Sequence, residues 1–237
     1  MPEPDLLQKF VADGHVDAAV FALRPDYRVV LMAVDRVVPG PSDQSGEALL
    51  LEAETKARRM LRDRPADAIP HVAAWREAYR AFGAKPQRTR PSVEALLRRV
   101  EAGLPRIDRI TDAYNAVSIA CLLPVGGEDL DRYAGAARLV RAAGDEDFDT
   151  TADGQPAVEH PDPGEVVWRD DRGVTCRRWN WRQCVRTRIT HTTTTAMFVL
   201  DGLAALGPGG LRAAEAELTE SLAGLSPGAT FTSRLLG

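Results

Sequence analysis

The chain has 237 residues, of which 44% are hydrophobic, so it is long enough for one large domain with an ordinary core. Its net charge of -4 argues against a protein that coats nucleic acid non-specifically, because that mode of binding needs a broad excess of basic groups. The sequence contains no run of eighteen apolar residues and begins without a signal-peptide pattern, so we expect a cytoplasmic protein with no membrane partner.

Cysteine and histidine usage gives no sign of a metal site or a disulfide framework. Cys121, Cys176 and Cys184 lack a C-x-x-C spacing, and the four histidines are scattered along the chain. We therefore expect reduced thiols, no bound metal and no cofactor.

The N-terminal part predicts two strands followed by helices. Residues 17–24 and 27–37 have the alternating, β-branched composition of strands joined by a tight turn. Helices are predicted over 47–61 and 70–83, the second with a proline at its start and a glycine at its end. We assign residues 1–69 to the same folding unit as the remainder, 70–237.

Two further helices are predicted over 93–103 and 107–123. The second has an apolar stripe that includes Tyr114 and a polar stripe that includes Asn115. After it, Glu128 and Asp129 follow a Gly-Gly pair and are expected on a solvated loop.

The C-terminal part predicts strands and one last helix. Strand patterns within 137–143, 146–158, 164–190 and 195–202 are separated by Asp-Gly and Arg-Gly turns, and a helix pattern spans 210–225. The whole chain therefore predicts an α+β fold, in which a mostly antiparallel sheet packs against helices in a single compact unit.

One segment, CRRWNWRQCV at 176–185, combines arginines and tryptophans in a chain poor in aromatic residues. If it is a strand, Trp179 and Trp181 face the core while Arg178, Asn180 and Arg182 form a row of donors on the other face, suited to an anion or a carbonyl oxygen. Its terminal cysteines would then lie about 26 Å apart, too far for a disulfide. A solvated sheet face is the alternative, but seven arginines between 169 and 188 favour anion binding.

Three segments, in this order, carry a resemblance to a known family: RPS to PVGG within 90–127, DFDTTADGQ at 147–155 and GEVVWRDDRGV at 164–174. Together they are similar to the editing domain of the bacterial phenylalanyl-tRNA synthetase β chain, and more so to its free-standing relatives, over about residues 70–205. The resemblance implies a trans-editing hydrolase, an aminoacyl-tRNA deacylase whose partner is the 3′ end of aminoacyl-tRNA and not DNA.

The family pattern is matched at some positions and not at others. Asn115 matches the asparagine of the family's helix, whereas Gly126 stands where the family has a histidine. The glutamate with which the family recognises a tyrosyl hydroxyl has no counterpart in WNWRQC at 179–184, so a tyrosine-specific pocket is not implied.

These observations give a set of candidate residues. We predict that Asn115 and Asn180 orient water or substrate, and that Arg178 and Arg182 bind terminal phosphates or polarise the carbonyl. The predicted catalytic residues are Asn115, Asn180 and Arg182; the substrate-binding residues are Arg178, Glu128, Asp129, Thr192 and His191; the tRNA-binding residues are Arg177, Arg186 and Arg188.

The acids near the expected pocket indicate the chemical class of the substrate. Acids near the expected pocket suit a cationic side chain, and some free-standing relatives clear tRNA-Arg charged with canavanine, so canavanyl-tRNA is the leading candidate. The alternatives are a non-catalytic module that binds tRNA or a small ligand, and a hydrolase of small esters or amides.

Overall fold

Residues 4–237 are described by the computed structural model, and they form seven α-helices and eleven β-strands. The helices are α1 (Pro4–Asp13), α2 (Ala18–Leu23), α3 (Gln44–Leu61), α4 (Pro70–Ala81), α5 (Ser92–Leu97), α6 (Arg109–Cys121) and α7 (Gly210–Leu225). The strands are β1 (His15–Val16), β2 (Arg28–Asp35), β3 (Val125–Asp129), β4 (Arg138–Arg141), β5 (Phe148–Ala152), β6 (Gln155–Glu159), β7 (Val166–Arg169), β8 (Val174–Arg177), β9 (Arg182–Gln183), β10 (Thr195–Gly202) and β11 (Thr230–Leu236).

Two sheets form the framework. The first has the order β11-β2-β10-β3 and is antiparallel throughout, with the long strands β2 and β10 paired over their full length. The second has the order β1-β4-β7-β8-β9 and is antiparallel except for the β1–β4 pair. The predicted α+β class, with mostly antiparallel sheets packed against helices, is confirmed. Residues 1–3 of the N-terminal segment assigned to this unit lie outside the described residues.

The first sheet is covered on both faces, which follows from the alternation of side chains along β10. Phe198 and its same-face neighbours pack against Tyr114 of α6 and Leu218 of α7. Val199, on the opposite face, packs toward the second sheet in a cluster that includes Trp168 and Trp179. The space between the two sheets is therefore an apolar core, and any cavity in it is walled by both.

Two elements predicted before residue 130 are wrong. Residues 17–24 were expected to be a strand but form helix α2, because Asp17 caps its start by accepting a hydrogen bond from the amide of Ala19 at 2.7 Å. Glu128 and Asp129 were expected on a solvated loop but lie in the edge strand β3. Gly127 permits this packing, since a Cβ there would lie 2.8 Å from the ring of Tyr114.

The segment 176–185 is a hairpin and not the single strand expected from its alternation. β8 ends at Arg177 and β9 begins at Arg182, with Cys176 opposite Gln183 in the register. The expected separation of about 26 Å between the cysteines is therefore wrong; both thiols are free. The predicted division by parity also fails, because Trp179 and Asn180 are both buried in the turn.

No helix in residues 4–237 is long and apolar enough to cross a membrane.

Candidate active site

A cleft of about 490 Å³ opens between the two sheets, at the edge strand β3. Gly126, Glu128, Val199 and Asp201 form its floor on the first sheet. The walls are formed by the hairpin turn between β8 and β9, by helix α5, and by Tyr114 and Asn115 of α6. Three residues predicted to be catalytic, Asn115, Asn180 and Arg182, therefore line the same cavity, although Asn115 comes from α6 and the other two come from the β8–β9 hairpin.

Among the described residues, Asp201 is one of two buried acids that line this cavity, the other being Glu128. Its Oδ1 accepts a hydrogen bond from the hydroxyl of Tyr27 at 2.6 Å, and its Oδ2 accepts one from Nδ2 of Asn180 at 3.2 Å. The side chain forms no ion pair with a described residue, and burial raises its pKa to about 7. Asp201 can therefore gain or lose a proton near neutral pH.

Asn180 is held by hydrogen bonds on both sides of its amide. Its Oδ1 accepts from the hydroxyl of Tyr79 at 3.0 Å while its Nδ2 donates to Asp201, which fixes the orientation of the amide. These contacts connect α4, the hairpin turn and β10 at one point. The sequence does not bring these elements together; only the packing of the two sheets does.

The turn that carries Asn180 has an unusual backbone. Arg178 and Trp179 have φ values of 47° and 69°, a left-handed conformation that side chains with a Cβ rarely adopt. The conformation is held in place by the Trp179 ring, which packs at 5.0 Å from Tyr27 and 5.3 Å from Trp75 in edge-to-face geometry. Residues with such strained backbone conformations are often found at functional sites.

Unlike Asn180, Asn115 has a side-chain amide with no hydrogen-bond partner in the described residues. It is buried, on the polar stripe of α6, and it lines the cavity without a hydrogen bond from its carboxamide to any residue of 4–237. A buried amide with unused donors and acceptors is costly unless water or a ligand satisfies it. Asn115 is therefore suited to hold a water molecule or a polar substrate group.

Glu128 lies at the other end of the floor. The hydroxyls of Tyr133 and Thr187 donate to its Oε2 at 2.6 and 3.0 Å, and burial raises its pKa to about 7. It opposes Met197 on β10, four residues before Asp201, so the two acids are separated by about 13 Å along the sheet. Gly126, opposite Val199, lies between them, and a Cβ there would meet only the Gln183 amide at 3.5 Å.

Comparison with known protein families gives a match over the middle of the chain. A sequence model of the B3/4 domain matches residues 74–206, more than half of the chain. The chain belongs to the B3/4 domain family. The predicted relation to the β subunit of phenylalanyl-tRNA synthetase is thus confirmed at the level of the domain family. No curated protein sequence matches this B3/4 domain protein significantly.

One solved structure similar to this B3/4 domain protein is the N-terminal fragment of the phenylalanyl-tRNA synthetase β subunit from Pyrococcus horikoshii. The two chains are 11% identical with a TM-score of 0.44, and the match covers 94% of this chain and 53% of that one. The present chain thus spans about half the length of that fragment.

Arg182 lines the cavity of this B3/4 domain beside Trp181. Its guanidinium carbon lies 4.8 Å from the centroid of the Trp181 ring and that of Arg178 lies 4.6 Å away, so both cations contact the indole. Arg182 also pairs with Glu159. Arg178 does not line the cavity; it pairs with Glu165 at 3.4 Å.

Two arginines predicted to bind tRNA are largely occupied within the protein. Arg177 is buried and pairs with Glu165 at 2.8 Å and Glu159 at 2.9 Å. Arg186 donates to both carboxylate oxygens of the buried Asp170, at 2.8 and 2.9 Å. Their predicted contacts with tRNA stay predictions, and these geometries favour a structural role.

The remaining predicted residues lie away from the cavity. Arg188, His191 and Thr192 are exposed, and none of them lines the cleft. Asp129 is buried, as Glu128 is, but on the opposite face of β3, where its Oδ2 accepts from Thr193 at 2.7 Å. The expected solvated loop for both acids is therefore wrong, because β3 buries each on its own face. Their proposed roles as substrate contacts are untested.

The cavity offers no activated nucleophile. Cys176 lines it, but burial raises the pKa of its thiol well above the ordinary value, which keeps the weakly reactive neutral form. Within residues 4–237 no group of three or more His, Cys, Asp or Glu side chains is placed to hold a metal ion. The chemistry of the site therefore depends on amides, guanidinium groups and carboxylates.

Sequence reasoning missed Asp201, Tyr27 and Tyr79. The available signal was the acid in VLDG at 199–202, because an aspartate at an inward position of an apolar strand must find partners when it is buried. Tyr27 and Tyr79 gave no such signal, since tyrosines in apolar patterns are ordinary core residues.

Proposed function

We propose that the protein hydrolyses the ester bond of misacylated aminoacyl-tRNA as a free-standing editing factor in the cytoplasm. The observation that carries the proposal is the convergence of Asn115, Asn180 and Asp201 in one cavity of a B3/4 domain. An aminoacyl ester is already activated, so an oriented water molecule and hydrogen-bond donors for the oxyanion suffice.

The proposed step uses one water molecule. Asn115 and the Asn180–Asp201 pair orient it, and Asp201 takes its proton as the water oxygen bonds to the ester carbonyl carbon. Arg182 stabilises the oxyanion. The bond from the carbonyl carbon to the ribose oxygen then breaks, and the proton passes from Asp201 to that oxygen. The products are the free amino acid and uncharged tRNA.

The acidic interior supports a cationic amino acid as the group edited. Glu128 is buried, faces the cavity and forms no ion pair with a described residue. A cationic side chain would satisfy its charge, whereas a neutral one would leave it unpaired when ionised. Gly126 lines the cavity between Glu128 and Asp201 and has no side chain to fill that part of the floor. Canavanyl-tRNA-Arg is the specific substrate that we propose.

The test is a deacylation assay with purified protein and radiolabelled aminoacyl-tRNAs. We expect release of amino acid from canavanyl-tRNA above the rate without protein, with lower turnover of tyrosyl-tRNA. Binding of tRNA without release would indicate a non-catalytic module. Neither binding nor release, together with hydrolysis of simple amino acid esters, would indicate a small-ester hydrolase and contradict the proposal.

A further inference from the structure

A short basic segment borders the cavity at 85–99. It carries Lys85 and four arginines against the single acid Glu94, a balance of +4 in a chain whose net charge is -4. The four arginines, Arg88, Arg90, Arg98 and Arg99, all line the cleft, and we call them the basic rim. None of them belongs to the residues that the sequence predicted to contact tRNA.

The charge of the basic rim is only partly neutralised. Glu94 is shared by three arginines, since Arg76, Arg90 and Arg98 lie 2.8, 3.6 and 2.9 Å from its carboxylate. Arg88 and Arg99 are exposed and form no ion pair with any residue of 4–237. In contrast, Arg177 and Arg186 each face two acids.

Unused donors accompany this charge. Oγ of Ser92 and Nε of Arg182 are buried beside the cavity without a hydrogen-bond partner in the described part of the chain. Nε of Arg90 also forms no hydrogen bond there, although it lies 3.6 Å from Oε1 of Glu94. The basic rim is also joined to the hairpin turn between β8 and β9, because the amide of Ser92 donates a hydrogen bond to the carbonyl of Asn180 at 3.2 Å. A ligand bound at the rim is therefore adjacent to the proposed reaction centre.

The charge of the side chains that line the cavity thus changes from its mouth to its floor. Its mouth is basic, with donors for anions, while its floor holds the buried acids Glu128 and Asp201. Trp181 lies partly exposed at the same mouth, and its ring contacts the guanidinium groups of Arg178 and Arg182. A ligand that matches this order has phosphates outside and a cationic group inside.

We propose that the basic rim binds the phosphates of the unpaired 3′ nucleotides of tRNA and directs the aminoacylated end into the cavity. This inference rests on the proposed function, since it assigns the RNA-binding surface of the same site. It also explains how an acidic protein binds RNA: the contact is local and is limited to the single-stranded end.

The test compares Arg88→Gln/Arg99→Gln with the matched double variant Arg62→Gln/Arg172→Gln. The control arginines are equally exposed, form no ion pair with a described residue and lie outside the cavity. Binding of uncharged tRNA is measured by fluorescence anisotropy over a series of salt concentrations. We expect the rim variant to bind about 10-fold more weakly, and its slope of log affinity against log salt to be shallower by about 1.4, the value for two lost phosphate contacts to a single strand.

A second probe locates the contact on the RNA. For tRNA trimmed of its unpaired 3′ nucleotides, we expect the rim variant and the wild type to bind alike. An equal loss on trimmed tRNA, a wild-type salt slope in the rim variant, or an equal loss in the control variant would overturn the inference. In the deacylation assay, we expect the rim variant to raise KM and to leave kcat within about threefold, because phosphate contacts bind substrate and transition state alike.

Different results would contradict the proposed deacylase function and the proposed role of the basic rim. If no charged tRNA is hydrolysed by the wild type, the proposed function fails, and the anisotropy data still decide whether the rim binds the 3′ end. If charged tRNA is hydrolysed and the rim variant matches the wild type in KM and in salt slope, only the rim assignment is wrong.

Discussion

Asn180 and Asp201 are joined by a hydrogen bond of 3.2 Å that links a hairpin turn with left-handed backbone to the C-terminal end of β10, an inner strand of the first sheet. The pair is completed by one tyrosine on each side, Tyr79 on the amide and Tyr27 on the carboxylate. The turn cannot relax without breaking this chain of contacts, so the amide stays fixed relative to the floor of the cavity. A fixed amide of this kind suits the proposed role of the pair, which is to hold one water molecule in a constant orientation.

Removal of either cavity amide is expected to slow the chemical step. For Asn115→Ala and Asn180→Ala we expect kcat for deacylation to fall by about 100-fold, the usual effect of losing one oriented donor. Gln155→Ala, which removes an exposed amide outside the cavity, is the control. Single-turnover assays at saturating protein measure the effect, and wild-type rates in both variants would contradict the assignment.

The raised pKa of Asp201 predicts that the free energy of unfolding depends on pH. Its pKa is about 7 in the folded protein, above the ordinary value of 3.8, so the folded state holds this proton more tightly than the unfolded state does. The resulting stabilisation is fully present below about pH 3.8 and is lost progressively as pH rises from there to about 7. Because asparagine has no such proton, the free energy of unfolding of Asp201→Asn relative to the wild type is expected to rise between about pH 4 and pH 7 and to level off above pH 7.

Urea denaturation of both proteins at several pH values measures this difference. Parallel pH profiles would show that Asp201 does not hold its proton in the folded state. The same residue should give the rate of deacylation an inflection near 7, which Asp201→Asn removes, once the uncatalysed hydrolysis of the ester is subtracted.

Glu128 is expected to set substrate preference. In Glu128→Gln the charge is lost while an acceptor for Tyr133 and Thr187 is kept. We expect kcat/KM for canavanyl-tRNA to fall by about 10- to 100-fold, the value of a hydrogen bond to a charged group, with a smaller change for tyrosyl-tRNA. Equal losses for both substrates would assign Glu128 a structural role.

Arg177 and Arg188 distinguish structural from RNA-binding arginines. Arg177→Ala leaves the buried Glu165 without its bidentate partner, and we expect the free energy of unfolding to fall by about 3 kcal/mol. Arg188 is exposed, so Arg188→Ala should change stability by less than about 0.5 kcal/mol. Thermal and chemical denaturation give both values, and a stable Arg177→Ala protein with weakened tRNA binding would restore the role predicted from sequence.

The fold class and most helices could be predicted from the sequence because their signals are local. Pro70 at a helix start and the period of α6 are properties of a few neighbouring residues. The hairpin at 176–185 could not be predicted in this way, since it has no glycine or proline. Its left-handed residues Arg178 and Trp179 are held by the contacts of Trp179 with distant aromatic rings.

Local signals also predicted part of the candidate site, whereas residues whose partners are distant in the sequence could not be assigned. Asn115 and Asn180 stood out as polar groups within patterned segments, and both line the cavity. The use of Arg177 and Arg186 in internal ion pairs depends on Glu165 and Asp170, whose positions only the folded sheet defines. An arginine-rich sequence therefore does not tell which arginines remain available to a ligand.

Strand β2 limits how this domain can be moved between proteins. It lies between β11 and β10 in the first sheet, yet it precedes the region 74–206 that matches the family. A chimera that transplants only the matched region would leave β10 with an unpaired edge along its whole length, and such an edge promotes aggregation. It would also lack Tyr27 and thus a hydrogen-bond donor to Asp201. Grafts of this editing-like site should therefore carry the flanking strands β2 and β11 with it.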